Sequence, residues 1–253
     1  MTDQLTLWGH FDELRKRIIA SLYGLVVAFL FTSIWTKQIA TFLFEPYYKT
    51  ISDSSYKLAY TSITDVFIFY FKMVTIVAIF VSTPWFFYQL WLFISPALRK
   101  KERKIAIPFV LTTSLFFMCG MLFSFYVVLP LTFKFFFELN EDYKNVVTIL
   151  SIFNFEFMMI LGVGLCFETP IIILLLNRLG IVTTKMLLKY SRWAILFAFI
   201  VSAVITPSGD PFTQTIVALP IVILYFLGIL FSSIFPHSKK VVENEDDESR
   251  KTT

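Results

Sequence analysis

Charge is the scarcest property of this chain. Only 16% of its 253 residues are charged and 57% are hydrophobic, whereas about a quarter of a soluble domain is usually charged. Most of the surface must therefore face lipid. Histidine and cysteine are also rare: His10 and His237 lie in separate segments, and Cys119 and Cys166 lie in different apolar stretches without CxxC spacing. These absences exclude a histidine-based metal site and favour a simple packing role for both thiols.

The motifs of catalysis and energy coupling are also absent. His10 does not begin an HExxH motif, no GxSxG elbow or Walker A loop occurs, and Asp210 has no second intramembrane aspartate with which to form a dyad. We therefore expect no catalytic residue, cofactor or metal, and any work must draw on energy from outside this chain. No small-x-small cleavage site follows the first apolar run, so that run is expected to be a permanent anchor.

Long apolar runs are what the chain does contain. Six windows predict six transmembrane helices, at about residues 18–35, 66–93, 105–137, 153–179, 193–205 and 212–235. The fifth window reaches only about 20 Å at 1.5 Å per residue, against roughly 30 Å of hydrocarbon. We expect an all-α polytopic membrane domain over residues 1–235, curved and with one shallow wall. Residues 236–253 form a charged tail that is expected to be disordered.

Basic residues in the loops predict the orientation. One side collects sixteen of the 22 lysines and arginines and the other side collects five. Cytoplasmic loops carry the excess of positive charge, and an even number of spans places both termini on one side. Both termini are therefore predicted to be cytoplasmic, or on the equivalent side of an organellar membrane.

Two charged segments on that side each contain one glutamate among cations. Glu13 lies just before the first span, and Glu102 lies among five lysines and arginines between the second and third spans. A carboxylate where water meets lipid is a plausible receptor for an incoming guanidinium. The alternatives are that Glu13 pairs with Arg17 one helical turn later, and that the second segment is a topology signal in contact with lipid headgroups, since its positive field repels cations.

Other polar residues lie within or between the apolar spans. Glu168 falls near the middle of the fourth span, where a charge costs about 2.5–3.5 kcal/mol, so a functional role is favoured. Lys72 and Glu156 lie near the outer ends of their spans and are predicted to be able to pair with each other. Thr206 and Gln214 are interpreted either as helix-to-helix hydrogen bonding or as a contact for another transmembrane helix. Asp210 is most simply a turn residue.

These residues together resemble the TatC family, the core receptors of twin-arginine protein translocases. The resemblance runs from His10 to about Phe231. The matching stretches are His10–Arg17, Glu45-Pro46, Pro84, Tyr88–Trp91, Phe93–Leu98, Lys101–Arg103, Gly120, Pro130, Phe167–Pro170, Thr206-Pro207 through Asp210, and Gln214. The combination of motifs is specific to the family, although no single motif would be.

The resemblance implies roles for individual residues. Glu13 and Glu102 would bind the consecutive arginines of a signal peptide, beside Arg15, Phe93 and Arg103. Glu168 would face a concave groove. Thr206 and Gln214 would contact the single-span partners TatA and TatB, while Pro46 and Asp210 would serve the outer loops.

The resemblance further implies a six-helix, glove-like receptor that binds folded precursors by their signals and recruits TatA and TatB. The expected setting is an oligomeric complex driven by the proton gradient, without nucleic acid, in a bacterial cytoplasmic membrane or in a mitochondrial inner or thylakoid membrane. The best rival is a proton-coupled small-solute transporter that uses Glu168. A carrier of that kind should show internal repeats, which the chain lacks.

Overall fold

A computed structural model describes residues 7–50, 59–94, 106–139 and 148–234, and these residues are almost entirely helical. The helices are α1 (Leu7–Thr32), α2 (Thr36–Leu43), α3 (Glu45–Thr50), α4 (Ile63–Ile94), α5 (Ala106–Phe123), α6 (Leu129–Leu139), α7 (Ile149–Cys166), α8 (Thr169–Arg178), α9 (Thr184–Lys189), α10 (Ser191–Ile205) and α11 (Pro211–Ile234). The predicted tail 236–253, together with Glu102 and Arg103, lies outside the described residues.

Five helical segments in the described part are long and apolar enough to cross a membrane. They span Phe11–Tyr47, Ile63–Ile94, Ile107–Leu139, Ile149–Arg178 and Pro211–Ile234, and α10 is a shorter apolar helix of 15 residues. Fifteen residues rise about 22 Å at 1.5 Å each, which is less than the hydrocarbon thickness. The predicted fifth span is thus an apolar helix. It is too short to cross a bilayer of ordinary thickness unless the membrane is thinner beside it or polar residues at its ends enter the membrane.

Two of the long segments change their helical form partway along. A π-helical turn at Ser124–Val128 separates α5 from α6. A turn at Phe167 and Glu168 separates α7 from α8, in which Pro170 occupies the first turn. Proline lacks an N–H and crowds the preceding turn, so it favours a helix start at this position over a continuous helix.

The buried core follows the middle of the bundle. α4 packs against α1, α5 and α7, while α11 packs against α8 and α10. Close approach of α5 to α7 depends on small residues, because a Cβ added to Gly120 would lie 2.7 Å from Phe167 and 3.0 Å from the Cα of Gly164. Small residues at such crossings let helix backbones approach in lipid. Among the helices, α1 packs chiefly against α4, and this leaves a concave space beside it.

Candidate functional site: an apolar groove with two charged side chains

The concave space is a groove of about 830 Å³ between α1, α4, α5, α7 and α8. Its lining is dominated by aliphatic and aromatic side chains from all five helices: Leu14, Ile18, Leu22, Leu25, Ile79, Phe86, Phe87, Leu90, Phe93, Ile94, Phe109, Phe117, Leu161, Leu165, Ile171, Ile172 and Leu175. The ring of Phe87 lies 5.9 Å from that of Phe117, which closes the wall between α4 and α5. A groove of this size and polarity suits an apolar chain segment.

The serine and threonine hydroxyl groups that line the groove donate to backbone carbonyls of their own helices. Ser21 donates to Arg17 O, Thr83 donates to Ile79 O at 2.8 Å, and Thr113 donates to Phe109 O at 2.9 Å. Ser82 likewise donates to Ile79 O. Because each hydroxyl is bonded to its own helix, the wall is apolar despite its serines and threonines. The charged side chains that line the groove, within the described part of the chain, are Arg17 and Glu168.

Glu168 reaches the groove from the break between α7 and α8. Its residue is 6% exposed, and its Oε1 atom has no hydrogen-bond partner. It occupies the N-cap position of α8, but its side chain does not cap the helix. The carboxyl group therefore faces the groove instead of the exposed N–H groups beside it. A buried acidic group with an unpaired oxygen is expensive at bilayer depth, which makes this side chain a candidate functional group.

Glu13 lies on α1 in an ion pair with Arg17, one turn further along. Nε and Nη2 of Arg17 approach Glu13 Oε1 to 2.6 Å and 2.5 Å. Nη1 of Arg17 also donates to Oε1 of Gln89 on α4, at 3.2 Å. The structure thus contains the local pair that was one interpretation of Glu13, and adds an interhelical bond to a glutamine that is almost fully buried.

Arg15 and Phe93 lie near the Glu13–Arg17 pair, on α1 and α4 respectively. Arg15 is exposed on α1, one residue from Leu14 of the groove. Phe93 lies in the last turn of α4 and lines the groove itself. Of the five residues expected at the signal site, Phe93 lines the groove. Glu13 and Arg15 lie on the turn of α1 that contributes Leu14 and Arg17 to it, and Glu102 and Arg103 are outside the described residues.

Thr206 and Gln214 belong to the packing of α10 on α11. Thr206 is buried at the end of α10 and donates to Ser202 O at 2.9 Å. Gln214 donates through Nε2 to Phe199 O at 2.8 Å, and its own carbonyl accepts from the Ser202 hydroxyl at 2.5 Å. Interhelical bonds of this kind stabilise helix pairs in membranes. The structure thus contains the helix-to-helix hydrogen bond that was one interpretation of Gln214.

Asp210 begins α11 as an N-cap residue, with Pro211 in the first helical position. Its Oδ1 accepts from Thr213 N at 2.7 Å and its Oδ2 accepts from the Ser208 hydroxyl at 2.6 Å. Partial burial opposes ionisation, but the hydrogen bonds from Ser208 and Thr213 outweigh it and lower the pKa of this carboxyl group. Gly209, at φ +63°, supplies the left-handed residue of the turn. Pro46, the other outer-loop residue, is buried in the first turn of α3.

The predicted pairing of Lys72 with Glu156 is wrong. Lys72 donates to Asn154 Oδ1 at 2.7 Å. Glu156 is fully buried on α7, and neither carboxyl oxygen has a hydrogen-bond partner. Similar depth along two spans indicated that the two side chains could meet, but the facing sides of α4 and α7 decided the partner.

Sequence reasoning also missed Gln89 and Trp85 as site residues. Trp85 donates through Nε1 to Ala20 O on α1 at 2.9 Å, and Gln89 accepts from Arg17. Their spacing of four residues on α4 places them on one helix face, and this was readable from the sequence. That the face meets α1 was not. No cluster of metal-ligating side chains occurs within the described residues.

An apolar groove in a helical bundle with membrane-spanning segments defines a polytopic membrane protein. Comparisons with known proteins are consistent with this class and make it specific. The family described as "Sec-independent protein translocase protein (TatC)" matches residues 9–220. A Sec-independent protein translocase protein TatC from Helicobacter pylori is 36% identical, with 96% of this chain and 94% of the relative covered. One from Koribacter versatilis is 35% identical, over 87% of this chain and 82% of the relative.

A solved structure is similar over most of its length. The crystal structure of a twin arginine translocase receptor, TatC, aligns with a TM-score of 0.79 at 30% identity, and covers 87% of this chain and 98% of its own. This chain belongs to the TatC family of Sec-independent protein translocase proteins, as its sequence motifs predicted. It is a multi-pass integral protein of the bacterial cytoplasmic membrane that works in protein transport, as a component of a translocase. That role is transport rather than catalysis.

Proposed function

We propose that this chain is the receptor subunit that binds twin-arginine signal peptides of folded precursor proteins. Glu13 and Glu102 bind the two arginines, with Arg15, Phe93 and Arg103 beside them. The observation that carries the proposal is the position of the Glu13–Arg17 pair, whose arginine lines one end of the apolar groove. A ligand with cations followed by an apolar segment would place its charges on carboxylates and its apolar part along the groove wall.

The repulsion expected from the basic segments does not defeat this proposal. Guanidinium and carboxylate form bidentate hydrogen bonds at short range, whereas the long-range field of exposed lysines is screened within about 8–10 Å at physiological salt. The ion pair of Glu13 with Arg17 supports the geometry, because it places a guanidinium on this carboxylate with N–O distances of 2.5 Å and 2.6 Å. This contact supports the proposal, because it shows that a guanidinium can reach this carboxylate at hydrogen-bonding distance.

The proposed membrane arrangement has six spanning helices and both termini on the cytoplasmic side. Residues 1–235 form the membrane domain and 236–253 form a cytoplasmic tail. α10 is the fifth span, and its length of 15 residues supports local thinning of the bilayer beside it. The excess of lysine and arginine in the loops of one side supports the orientation.

Partner subunits of the TatA and TatB type are proposed to dock near Thr206 and Gln214, and the proton gradient is proposed to drive export. The short α10 offers such partners a place where the membrane is thin. Glu168, in the groove, is proposed to act after signal binding, when the apolar part of the signal lies along the wall. The rival function, a proton-coupled carrier of small solutes, is not favoured, because the relatives are translocase proteins.

The decisive experiment is site-specific cross-linking of a signal peptide to the protein in inverted membrane vesicles. Glu13→Ala or Glu102→Ala should reduce the cross-link yield about tenfold or more, since a charged hydrogen-bonded pair contributes about 1.5–3 kcal/mol. Membrane insertion should be unaltered. A peptide with two lysines is the matched control ligand, and equal cross-linking of both peptides to the unaltered protein would refute the recognition role.

Glu168→Gln separates binding from transport. This variant keeps the shape of the side chain and should leave the signal cross-link near its normal yield while it slows export of a folded precursor. An equal loss at both steps would mean that Glu168 stabilises the groove and has no separate role in transport.

A further inference from the structure

Arg17 engages all three of its guanidinium nitrogens. Nε and Nη2 contact Glu13, and Nη1 donates to Gln89 on the neighbouring helix. The side chains of Arg17 and Glu13 are 31% and 27% exposed, so the pair is partly shielded from water. An ordinary surface pair between residues four apart lacks the third bond. Arg17 is therefore held on Glu13 from two helices.

The bond to Gln89 fixes the guanidinium more firmly than the helix alone would. Gln89 is 4% exposed, so its amide oxygen would lose a hydrogen bond in a buried setting if Arg17 left. Arg15, two residues before Arg17, and Lys16, the adjacent residue, are both exposed. The position of Arg17 thus follows from tertiary packing as well as from helix spacing.

Arg17 also occupies the position that a ligand needs. The proposed ligand of Glu13 is itself a guanidinium, and two guanidinium groups cannot both form the close bonds to Oε1 that Arg17 now forms. Arg17 lines the end of the groove, so a signal that enters the groove meets it directly. A signal arginine that takes up the same position on Oε1 must therefore exchange with Arg17.

We propose that Arg17 is an internal competitor for Glu13, which a signal arginine must displace; this inference rests on the proposed function. The displacement adds the same free-energy cost to every cationic ligand of Glu13. Weak ligands, such as a lone basic residue near an apolar segment, then fall below the affinity needed for capture. Twin-arginine ligands remain above it because they gain a second carboxylate at the same time. Arg17 therefore sets the threshold of the receptor, whereas Glu13 supplies the attraction.

The effect has a predictable size. An exposed ion pair between residues four apart contributes little to stability, and a hydrogen bond to a charged group contributes more. Removal of the competitor should therefore tighten signal binding about two- to tenfold. A peptide with two lysines should gain by the same factor, because the cost belongs to the receptor. The preference for arginine should therefore stay constant.

The test is equilibrium binding of a fluorescent synthetic twin-arginine signal peptide to the full-length protein in lipid nanodiscs, followed by anisotropy. Arg17→Met removes the competitor and its charge. Arg17→Lys keeps the charge but loses the planar fork that reaches Glu13 and Gln89 together. Lys16→Met is the matched control, because it removes one positive charge from the adjacent, exposed position. We expect tighter binding for both Arg17 variants, and a smaller change for Lys16→Met.

Each outcome has a distinct meaning. The competitor role is overturned if Arg17→Lys and Arg17→Met bind the signal peptide no tighter than the unaltered protein does, or no tighter than Lys16→Met does. If Arg17→Met does not fold, Arg17→Lys decides alone, since it preserves the charge of α1. If the unaltered protein binds twin-lysine and twin-arginine peptides equally, the proposed recognition function fails instead. If it prefers twin-arginine while Arg17→Lys binds no tighter, this inference alone fails.

Discussion

Gly24 and Trp85 hold α1 against α4, and replacement of the glycine by alanine tests that contact. A Cβ at position 24 would lie within 3.0 Å of three atoms of the Trp85 indole, closer than real Cβ atoms approach such neighbours. The indole can move away only by lengthening its hydrogen bond to Ala20 O, which is now 2.9 Å. Because α1 packs chiefly on α4, this contact contributes to how closely α1 lies against α4 beside the groove.

The expected magnitude combines a cost and a gain. Overpacking costs about 1–3 kcal/mol, and a weakened hydrogen bond adds up to about 1 kcal/mol. Alanine is favoured over glycine inside a helix by about 0.5–1 kcal/mol. Gly24→Ala should therefore reduce the free energy of unfolding by about 1–2 kcal/mol. In a Trp85→Ala background the clash is gone, and the same substitution should be neutral or stabilising.

Steric-trap unfolding in detergent micelles measures this double-mutant cycle, and Val27→Leu serves as the control. Val27 lies on the same helix with 66% of its surface exposed, so an added methylene there should change stability little. A coupling between positions 24 and 85 of about 1.5–3 kcal/mol is expected. Equal effects of Gly24→Ala in both backgrounds would refute the packing argument.

Three further predictions concern other buried or capping groups. Asp210→Ala should lower the free energy of unfolding by about 1 kcal/mol through loss of the α11 cap. Because hydrogen bonds lower the folded-state pKa of Asp210, this stabilisation is present above the ordinary aspartate pKa and is lost as pH falls below about 4. In acid, the melting curves of the unaltered protein and the variant should therefore converge. Gln214→Leu should lower the melting temperature of the purified subunit, because it removes the hydrogen bond to Phe199 O, which contributes about 0.6–2 kcal/mol. If the melting temperature is unchanged but cross-linking to a TatA-type partner is lost, Gln214 contacts the partner instead. Glu156→Met should raise the free energy of unfolding by about 1–3 kcal/mol, because it removes a buried carboxyl group that has no hydrogen-bond partner. A decrease in the free energy of unfolding would show that Glu156 has a partner in the assembled protein.

Local patterns made several features of the fold and site predictable. The length and hydrophobicity of the runs predicted the apolar helices. The functional role inferred from the depth of Glu168 along its run stays a prediction. The spacing of Glu13 and Arg17 made their pair one of two interpretations of Glu13, since residues four apart share a helix face. The break between α7 and α8, with Pro170 in the first turn of α8, was not predicted. The π-helical turn at Ser124–Val128 has no comparable local signal.

The sequence by itself determined that this protein lives in a membrane, which family it belongs to, and which residues carry charge at the proposed binding surface. Those properties depend on composition, order and short-range spacing. Only the tertiary structure decided that Gln89 holds Arg17, and that Lys72 bonds Asn154 instead of Glu156. These outcomes depend on which helix faces meet, and helices that are apolar on every side leave that choice to packing between distant parts of the chain.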